Sequence, residues 1–185
     1  MRIAGIDYSM TSPAICTHIG KRWNFKNCEF YYLTSIKKLA KKFGKHGEFH
    51  GQLQPKKHKN DEERFEMISH WAIQRCFKFD FVALEGYAFN ATGRVFQVAE
   101  NTGLLKHKLW ESDTPFDVYS PSVIKKFATG KGNATKEDMY DAWLKETGVD
   151  IKEMMIPNRE KVGNPVTDIV DSYFICKYYF FEILV

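Results

Sequence analysis

The sequence predicts an α/β fold in which a mixed five-stranded sheet carries helices on both faces. Two observations lead to this expectation. Short apolar runs separated by turns fill the amino-terminal part of the chain, and strand-like and helix-like segments alternate over the remainder. This order of elements is typical of a mixed sheet covered by helices. With 185 residues, 44% of them hydrophobic, the chain suits one sizeable core. Residues 1–185 are therefore expected to form a single domain.

Each predicted strand is an apolar run bounded by turn-forming residues. Five such runs are present, at residues 3–6, 14–19, 29–34, 79–84 and 116–119. Asp7 follows the first run and Glu85 follows the fourth. Because the first three runs are close together in the chain, we expect them to form an antiparallel meander.

Capping residues mark the predicted helices. Asn60 can cap a helix whose first turn holds three acidic residues, and Thr135 with Asp138 resembles a capping box. Pro121 opens another helix, and Thr167 can cap the last one. The predicted helices span residues 61–77, 95–110, 121–129, 136–147 and 168–184.

A basic insertion is predicted at about residues 36–59. Its first part has apolar residues at helical spacing with lysines between them, and glycines and a proline then predict a flexible loop. The apolar residues are Ile36, Leu39, Ala40 and Phe43, and the lysines are Lys37, Lys38, Lys41 and Lys42. Residues 21–59 hold eleven Lys or Arg against two Glu, a balance of +9 in a chain whose net charge is +4. Such a concentration indicates a polyanionic partner, with a solvated loop as the alternative.

The cysteines and the apolar content exclude several classes of protein. The four cysteines form no CxxC pair, so neither a disulfide framework nor a zinc knuckle is indicated, and a reducing compartment is expected. The most apolar stretch, residues 173–185, is too short to span a bilayer and contains Lys177 and Glu182. The opening residues are expected to form a strand rather than a signal peptide. We expect a soluble, cytoplasmic protein with no membrane partner.

Four acidic residues stand where the pattern predicts burial or clustering. Asp7 and Glu85 end two buried strands, and an unpaired buried charge is costly. Asp168 and Asp171 share one face of the first turn of the last helix. Four carboxylates without histidine or thiolate partners favour a hard cation, Mg²⁺ or its substitute Mn²⁺. Alternatively, Asp168 is only a first-turn acid and Glu85 pairs with a lysine.

The order of short motifs resembles that of RuvC-like Holliday-junction resolvases, within the RNase H-like superfamily. The resemblance rests on GIDYS at residues 5–9, ALE at 83–85, PSVIKK at 121–126, GKGNATK at 130–136 and DIVD at 168–171. It extends over nearly the whole chain, and it implies the RNase H-like fold.

The resemblance also implies an activity and the residues that carry it. The expected activity is Mg²⁺-dependent nicking of four-way DNA junctions by a homodimer, as a crossover junction endodeoxyribonuclease of DNA recombination and repair. Asp7, Glu85, Asp168 and Asp171 match the metal-binding acids of the family. Lys125 and Lys136 match positions that face the scissile-strand phosphates, and Lys131 lies between them in the same basic stretch.

The chain departs from the bacterial family pattern in two places. The lysine-rich segment is longer and more basic than usual, as in phage-encoded and other divergent members, and its lysines are candidates for DNA contact. The aromatic position near Glu85 is out of register, so Tyr87 and Phe89 are candidates for stacking on an unpaired base, with core packing as the alternative. Three apolar residues of the 95–110 helix are candidates for the dimer interface: Val98, Leu105 and Leu109.

Other functions are compatible with parts of this pattern. A ribonuclease H or another branched-DNA nuclease would use similar acids, and a noncatalytic DNA-binding relative would keep the fold. A phosphotransferase of the ASKHA class can also open with GIDxS, but the sequence has no glycine-rich adenosine motif. Fold resemblance alone does not choose among these alternatives.

Overall fold

The computed structural model describes residues 1–87 and 95–184, with side chains described as far as Glu182. The strands are β1 (Arg2–Asp7), β2 (Ala14–Ile19), β3 (Cys28–Thr34), β4 (Lys42–Phe43), β5 (Phe49–Leu53), β6 (Phe81–Glu85) and β7 (Phe116–Tyr119). The helices are α1 (Asp61–Cys76), α2 (Val95–Glu111), α3 (Pro121–Thr129), α4 (Lys136–Thr147), α5 (Ile151–Met155) and α6 (Val166–Leu184). None of the helices within the described residues combines the length and apolar character that crossing a membrane requires.

The strands form one mixed sheet in the order β4-β5-β3-β2-β1-β6-β7. The predicted antiparallel meander is confirmed, since β1 pairs with β2 and β2 with β3 in antiparallel fashion. β6 and β7 then add in parallel beside β1, and β5 adds in parallel beside β3. Consequently β1, β3, β5, β6 and β7 all run in one direction. We call the edge where these five strands end the carboxyl edge.

The predicted fold class is confirmed, but the sheet has seven strands rather than five. The two extra strands come from the basic insertion, where the helical prediction is wrong and only a short 3₁₀ turn, Lys37–Leu39, is present. The reason is long-range packing. Phe49 of β5 is fully buried and stacks on Phe30 of β3, with ring centroids 4.9 Å apart. Gly51 of β5 is required, since a Cβ there would lie 2.2 Å from the carbonyl oxygen of Leu39.

Helices cover both faces of the sheet, as predicted, and their ends follow from local sequence. Asn60 accepts a hydrogen bond from the backbone N–H of Glu63 at the start of α1, and Thr135 and Asp138 form the predicted capping box of α4. The structure adds α5, which was not among the predicted helices. It also places Thr167 inside α6, whose first residue is Val166, rather than at the cap.

Residues alternate along β1 between two cores. Ala4 and Ile6 point to the face covered by α1 and α2, where Ile68, Trp71 and Leu105 pack against them. Ile3 points to the other face, where α6 dominates the packing. Gly5 and Asp7 lie on the same face as Ile3 because side chains alternate along a strand. The face that carries Asp7 is therefore the one against which α6 lies.

Candidate metal and DNA site

The register between β1 and β6 brings the first two predicted acids together. Gly5 is paired with Ala83 and Ile6 with Leu84, so Asp7 and Glu85 occupy the next positions on adjacent parallel strands. Both therefore lie at the carboxyl edge and on the same face of the sheet. Asp7 is buried, with 8% of its surface exposed, and Glu85 is partly buried.

Close contact between β1 and α6 brings in the other two acids. A Cβ on Gly5 would lie 2.2 Å from the backbone nitrogen of Cys176 and 2.5 Å from the carbonyl oxygen of Ser172, so only glycine lets the helix approach this closely. Asp168 lies one turn before Ser172, and Asp7 lies two residues beyond Gly5 at the carboxyl edge. A helical turn and two strand residues both advance roughly 6 Å, which brings the two aspartates together. Their proximity is reflected in the titration of Asp7, whose pKa is raised first by burial and then by the negative charge of Asp168.

The four acids crowd enough negative charge to change their titration. Burial raises the pKa of Asp7 well above its usual value, and repulsion from Asp168, Glu85 and Asp171 adds to the effect. Burial, followed by repulsion from Asp171, raises the pKa of Glu85 to about 8. Burial, followed by repulsion from Asp168, raises the pKa of Asp171 to about 7. For Asp168, burial raises the pKa to about 6, while the hydrogen bond from Ser12 opposes the rise. The group therefore favours a bound cation or proton.

Two of the predicted lysines lie beside the acids. Burial dominates the raised pKa values of Glu85 and Asp171, and the positive charge of Lys125 opposes the rise in both. The charge of Lys136 does the same for Asp168 and Asp171. A cavity of about 220 Å³ is lined by both lysines together with Glu85 and Asp171. Lys125 and Lys136 therefore lie beside the acids, and their expected contact with the scissile-strand phosphates stays a prediction.

Local sequence explains why these lysines reach the site. β7 ends at the carboxyl edge and leads directly into α3, with Ser120 as cap and Pro121 as the first helical residue. Gly130 ends α3 with a φ of +82°, a left-handed conformation that favours glycine. The capping box at Thr135 then starts α4, so that Lys136 is its first residue.

The donor set suits Mg²⁺ or Mn²⁺, because it offers only carboxylate oxygens and carries excess negative charge. Among the described residues, no three His, Cys, Asp or Glu side chains already form an ion cage. Asp168 already has one polar partner, Ser12, whose Oγ donates to its Oδ2 at 2.5 Å. The backbone positions of the four acids are therefore set, although their side chains do not yet form a closed cage.

Lys131 and Tyr87, two other predicted DNA-contact residues, do not line that cavity. Lys131 is exposed and lines a separate hollow with Asp138 and Lys145. Tyr87 packs toward α2: its Oη donates to the carbonyl of Ala99 at 3.3 Å. Phe89 lies outside the described residues.

The lysines of the insertion lie on the same sheet as the acids. Lys37 and Lys38 are exposed in the turn after β3, beyond the carboxyl edge. A row of neighbouring residues crosses the sheet from Asp7 through Ala14, Tyr32 and Gly51 to Lys41. Four interstrand steps correspond to roughly 19 Å. Lys42 follows Lys41 on the outermost strand and is also exposed.

Two groups of residues were missed by the sequence analysis. Ser12, Asn164 and Thr167 form a hydrogen-bonded group around Asp168, and only the abundance of Ser and Thr in the turn after β1 could have suggested it. Phe96 and Trp110 are exposed on α2, at 81% and 71%. Of the residues proposed for the dimer interface, Leu105 and Leu109 are fully buried in the core, which rules them out as surface contacts. Val98 is only partly exposed.

Comparison with known proteins agrees with this architecture. No family profile matches the chain. A crossover junction endodeoxyribonuclease RuvC of Prochlorococcus marinus (strain MIT 9312) is 28% identical over 100 residues, which is 50% of this chain and 60% of the relative. The match thus spans less than two thirds of that relative's length.

Solved structures match over the whole fold. The structure of Thermus thermophilus RuvC has a TM-score of 0.64 at 16% identity, covering 100% of this chain and 96% of that one. The same protein in complex with Holliday junction substrate has a TM-score of 0.61 at 17% identity, covering 97% and 94%. Fowlpox virus resolvase with substrate Holliday junction DNA has a TM-score of 0.56 at 14% identity, covering 100% of both chains. The predicted RNase H-like fold and the resemblance to RuvC-like resolvases are confirmed.

Proposed function

We propose that this protein is a structure-selective endonuclease that nicks four-way DNA junctions with Mg²⁺, or with Mn²⁺ as a substitute. The observation that carries the proposal is the convergence of Asp7, Glu85, Asp168 and Asp171 from three separate elements at one edge of the sheet. Support comes from the fold, since two of the similar structures hold Holliday junction DNA.

The four acids would hold the cation. When bound there, two such ions would supply activation of a water and charge stabilisation of the leaving oxygen in phosphodiester hydrolysis. The chain's own positive charges have a separate role. Lys125 and Lys136 line the cavity beside Glu85 and Asp171, where they can bind the phosphate of the strand to be cut.

The arms of the junction would lie along the basic insertion. Lys37 and Lys38 follow β3, and further exposed lysines, Lys56, Lys57 and Lys59, follow β5, so both groups project from the carboxyl edge. Two hydrogen bonds connect this region to the turn after β1. Gln54 Nε2 and Arg64 Nη2 donate to the carbonyl of Met10 at 3.1 and 2.7 Å. DNA bound along the insertion would therefore be held in a fixed relation to the acids.

A homodimer would supply the second nick. Resolving a junction requires two symmetric cuts, and a two-fold dimer provides two equivalent sites at a fixed separation. Helix α2 offers a surface for it that differs from the predicted one. Phe96, Gly103 and Trp110 are exposed and seven residues apart, so they share one face of the helix over about 20 Å. Apart from the backbone of α2 itself and its two chain neighbours, a Cβ on Gly103 would meet no atom of the described residues within 4 Å, which leaves space for a close partner.

The proposal is tested by cleavage of a synthetic mobile junction with Mg²⁺, with both strands resolved. We expect paired nicks on opposing strands of the junction and far slower cutting of linear duplex, flap and RNA–DNA hybrid. Asp7→Asn should bind the junction normally and lose at least ~10²-fold in single-turnover cleavage, the scale of removing one electrostatic stabiliser. Preferential cutting of the hybrid would instead identify a ribonuclease H. Binding without cleavage by the wild type would identify a noncatalytic relative.

A further inference from the structure

A chain of hydrogen bonds connects the turn after β1 to the start of α6. Thr167 Oγ1 donates to Asn164 Oδ1 at 2.9 Å, and Asn164 Nδ2 donates to Ser12 Oγ at 2.5 Å. Ser12 Oγ then donates to Asp168 Oδ2 at 2.5 Å. Ser12 and Thr167 are buried, at 5% and 4% exposure, so water does not readily replace these partners.

The direction of every bond in this chain is determined. A serine hydroxyl has one proton, and an ionised carboxylate only accepts, so the proton of Ser12 points to Asp168. Ser12 can then only accept from Asn164, which fixes the amide nitrogen of Asn164 toward it. The opposite amide orientation would place two acceptors, Asn164 Oδ1 and Asp168 Oδ2, around the single proton of Ser12. Thr167 completes the arrangement by donating to the amide oxygen.

The turn that carries Ser12 is itself held in place. The backbone N–H of Ser12 donates to Ser9 Oγ at 3.1 Å, within the GIDYS segment and the residues that follow it. The carbonyl of Met10, in the same turn, accepts hydrogen bonds from Gln54 and Arg64. Contacts from within the turn and from two other parts of the chain thus fix the backbone from which Ser12 projects.

We infer that Ser12 is a positioning residue for the Asp168 carboxylate, with Asn164 and Thr167 fixing the direction in which Ser12 donates. The inference rests on the proposed function, in which Asp168 is a cation ligand. Groups that orient a ligand carboxylate raise its affinity for a cation because less ordering is left to occur on binding. In this inference Ser12 acts only through Asp168 and touches neither the DNA nor the cation.

The test measures the Mn²⁺ affinity of wild type, Ser12→Ala and Ser12→Thr. Free Mn²⁺ is quantified by its electron paramagnetic resonance signal. We expect Ser12→Ala to weaken Mn²⁺ binding by about 10–100-fold, the usual effect of losing such a partner. Ser12→Thr keeps the hydroxyl and should recover most of the affinity. The matched control is Ser69→Ala, which removes another fully buried serine hydroxyl, one that donates to the carbonyl of Glu66 in α1. It should leave Mn²⁺ affinity unchanged.

Junction cleavage gives an independent readout. In Ser12→Ala the rate at saturating junction should fall while junction affinity in EDTA stays at the wild-type value, because only the cation ligand is misplaced. If thermal unfolding shows that Ser12→Ala is poorly folded, Thr167→Val carries the test, since it keeps the side-chain shape and removes only the donor to Asn164. Weaker Mn²⁺ binding by Thr167→Val supports the inference.

Two outcomes separate this inference from the proposed function. Wild-type Mn²⁺ affinity in a folded Ser12→Ala or Thr167→Val, in a protein that cuts junctions, overturns the positioning role alone. Mn²⁺ binding that depends on Ser12, in a protein that cuts no branched DNA, upholds the positioning role and overturns the resolvase proposal.

Discussion

Neutralising one of the clustered acids should stabilise the cation-free protein. Asp171 is the best choice because burial, followed by repulsion from Asp168, raises its pKa from 3.8 to about 7. An acid with a raised pKa in the folded state contributes stability that is fully present below its unfolded pKa of about 4. That stability is lost as the pH rises through about 7. In EDTA the wild type should therefore be less stable at pH 8 than at pH 5.

The expected size follows from the shift. About three pKa units correspond to at most ~4 kcal/mol at pH 8, at 1.36 kcal/mol per unit. Because the other three acids remain and still repel one another, we expect Asp171→Asn to recover about half of this, roughly 2 kcal/mol. For a protein of this size that is a rise of about 4–8 °C in unfolding temperature at pH 8. At pH 5 only about a third of this loss has occurred, so the two proteins should differ by less than ~1 kcal/mol.

The assay is thermal unfolding in EDTA at pH 5 and pH 8, monitored by circular dichroism and repeated with Mg²⁺. The control is Asp150→Asn, at a residue whose pKa is lowered, first by the N–H of Glu153 and then by the hydroxyl of Tyr140. This variant should lose a little stability at pH 8 because it gives up a favoured charge. Mg²⁺ should stabilise the wild type more than Asp171→Asn. A wild-type unfolding temperature that is independent of pH, or an Asp171→Asn variant less stable than wild type at pH 8, would refute the reasoning.

Three further predictions concern DNA affinity, packing and assembly. Replacing the insertion lysines Lys37, Lys38, Lys41 and Lys42 with Gln should lower the slope of log DNA affinity against log salt concentration by roughly 0.9 per lost phosphate contact. The control replaces Lys26 and Lys78, which precede β3 and β6, and it should leave the slope unchanged. Gly5→Ala should lower stability by about 3 kcal/mol or more, seen as a fall in unfolding temperature, because its Cβ would overlap the backbone of α6. Phe96→Ser combined with Trp110→Ser should shift sedimentation from dimer to monomer, while Phe77→Ser, at another exposed aromatic, should not. A wild-type monomer would contradict the assembly proposal.

Much of the fold was readable from local sequence. Asn60 and the Thr135–Asp138 pair marked helix starts correctly, because a cap is satisfied by groups three residues away. The strands that end at Asp7 and Glu85 were also predicted, because a buried strand appears in the sequence as a continuous run of apolar residues. These two acids stand out for the same reason: each ends a segment that is otherwise apolar.

Other features depended on residues far apart in the chain. The spacing of Ile36 and Leu39 suggested a helix, yet Phe49 and Gly51 complete a strand pair there because β3 offers backbone partners and a matching aromatic surface. The spacing of apolar residues did not show whether Leu105 belongs to the core or to an interface. Helix α2 has apolar residues on more than one face, and only the packing shows which face is covered.

The same distinction between local sequence and long-range packing applies to the candidate site. The sequence by itself determined the kinds of residue available: four acids, two nearby lysines and a basic insertion. Only the tertiary structure decided that Gly5 lets α6 lie against β1, which brings Asp168 to Asp7, and that Ser12 and Asn164 meet across 152 residues of sequence. The physical reason is that hydrogen bonds and charge repulsion depend on distances of a few ångströms, and between residues far apart in the chain those distances are set by the packing of the whole sheet and its helices.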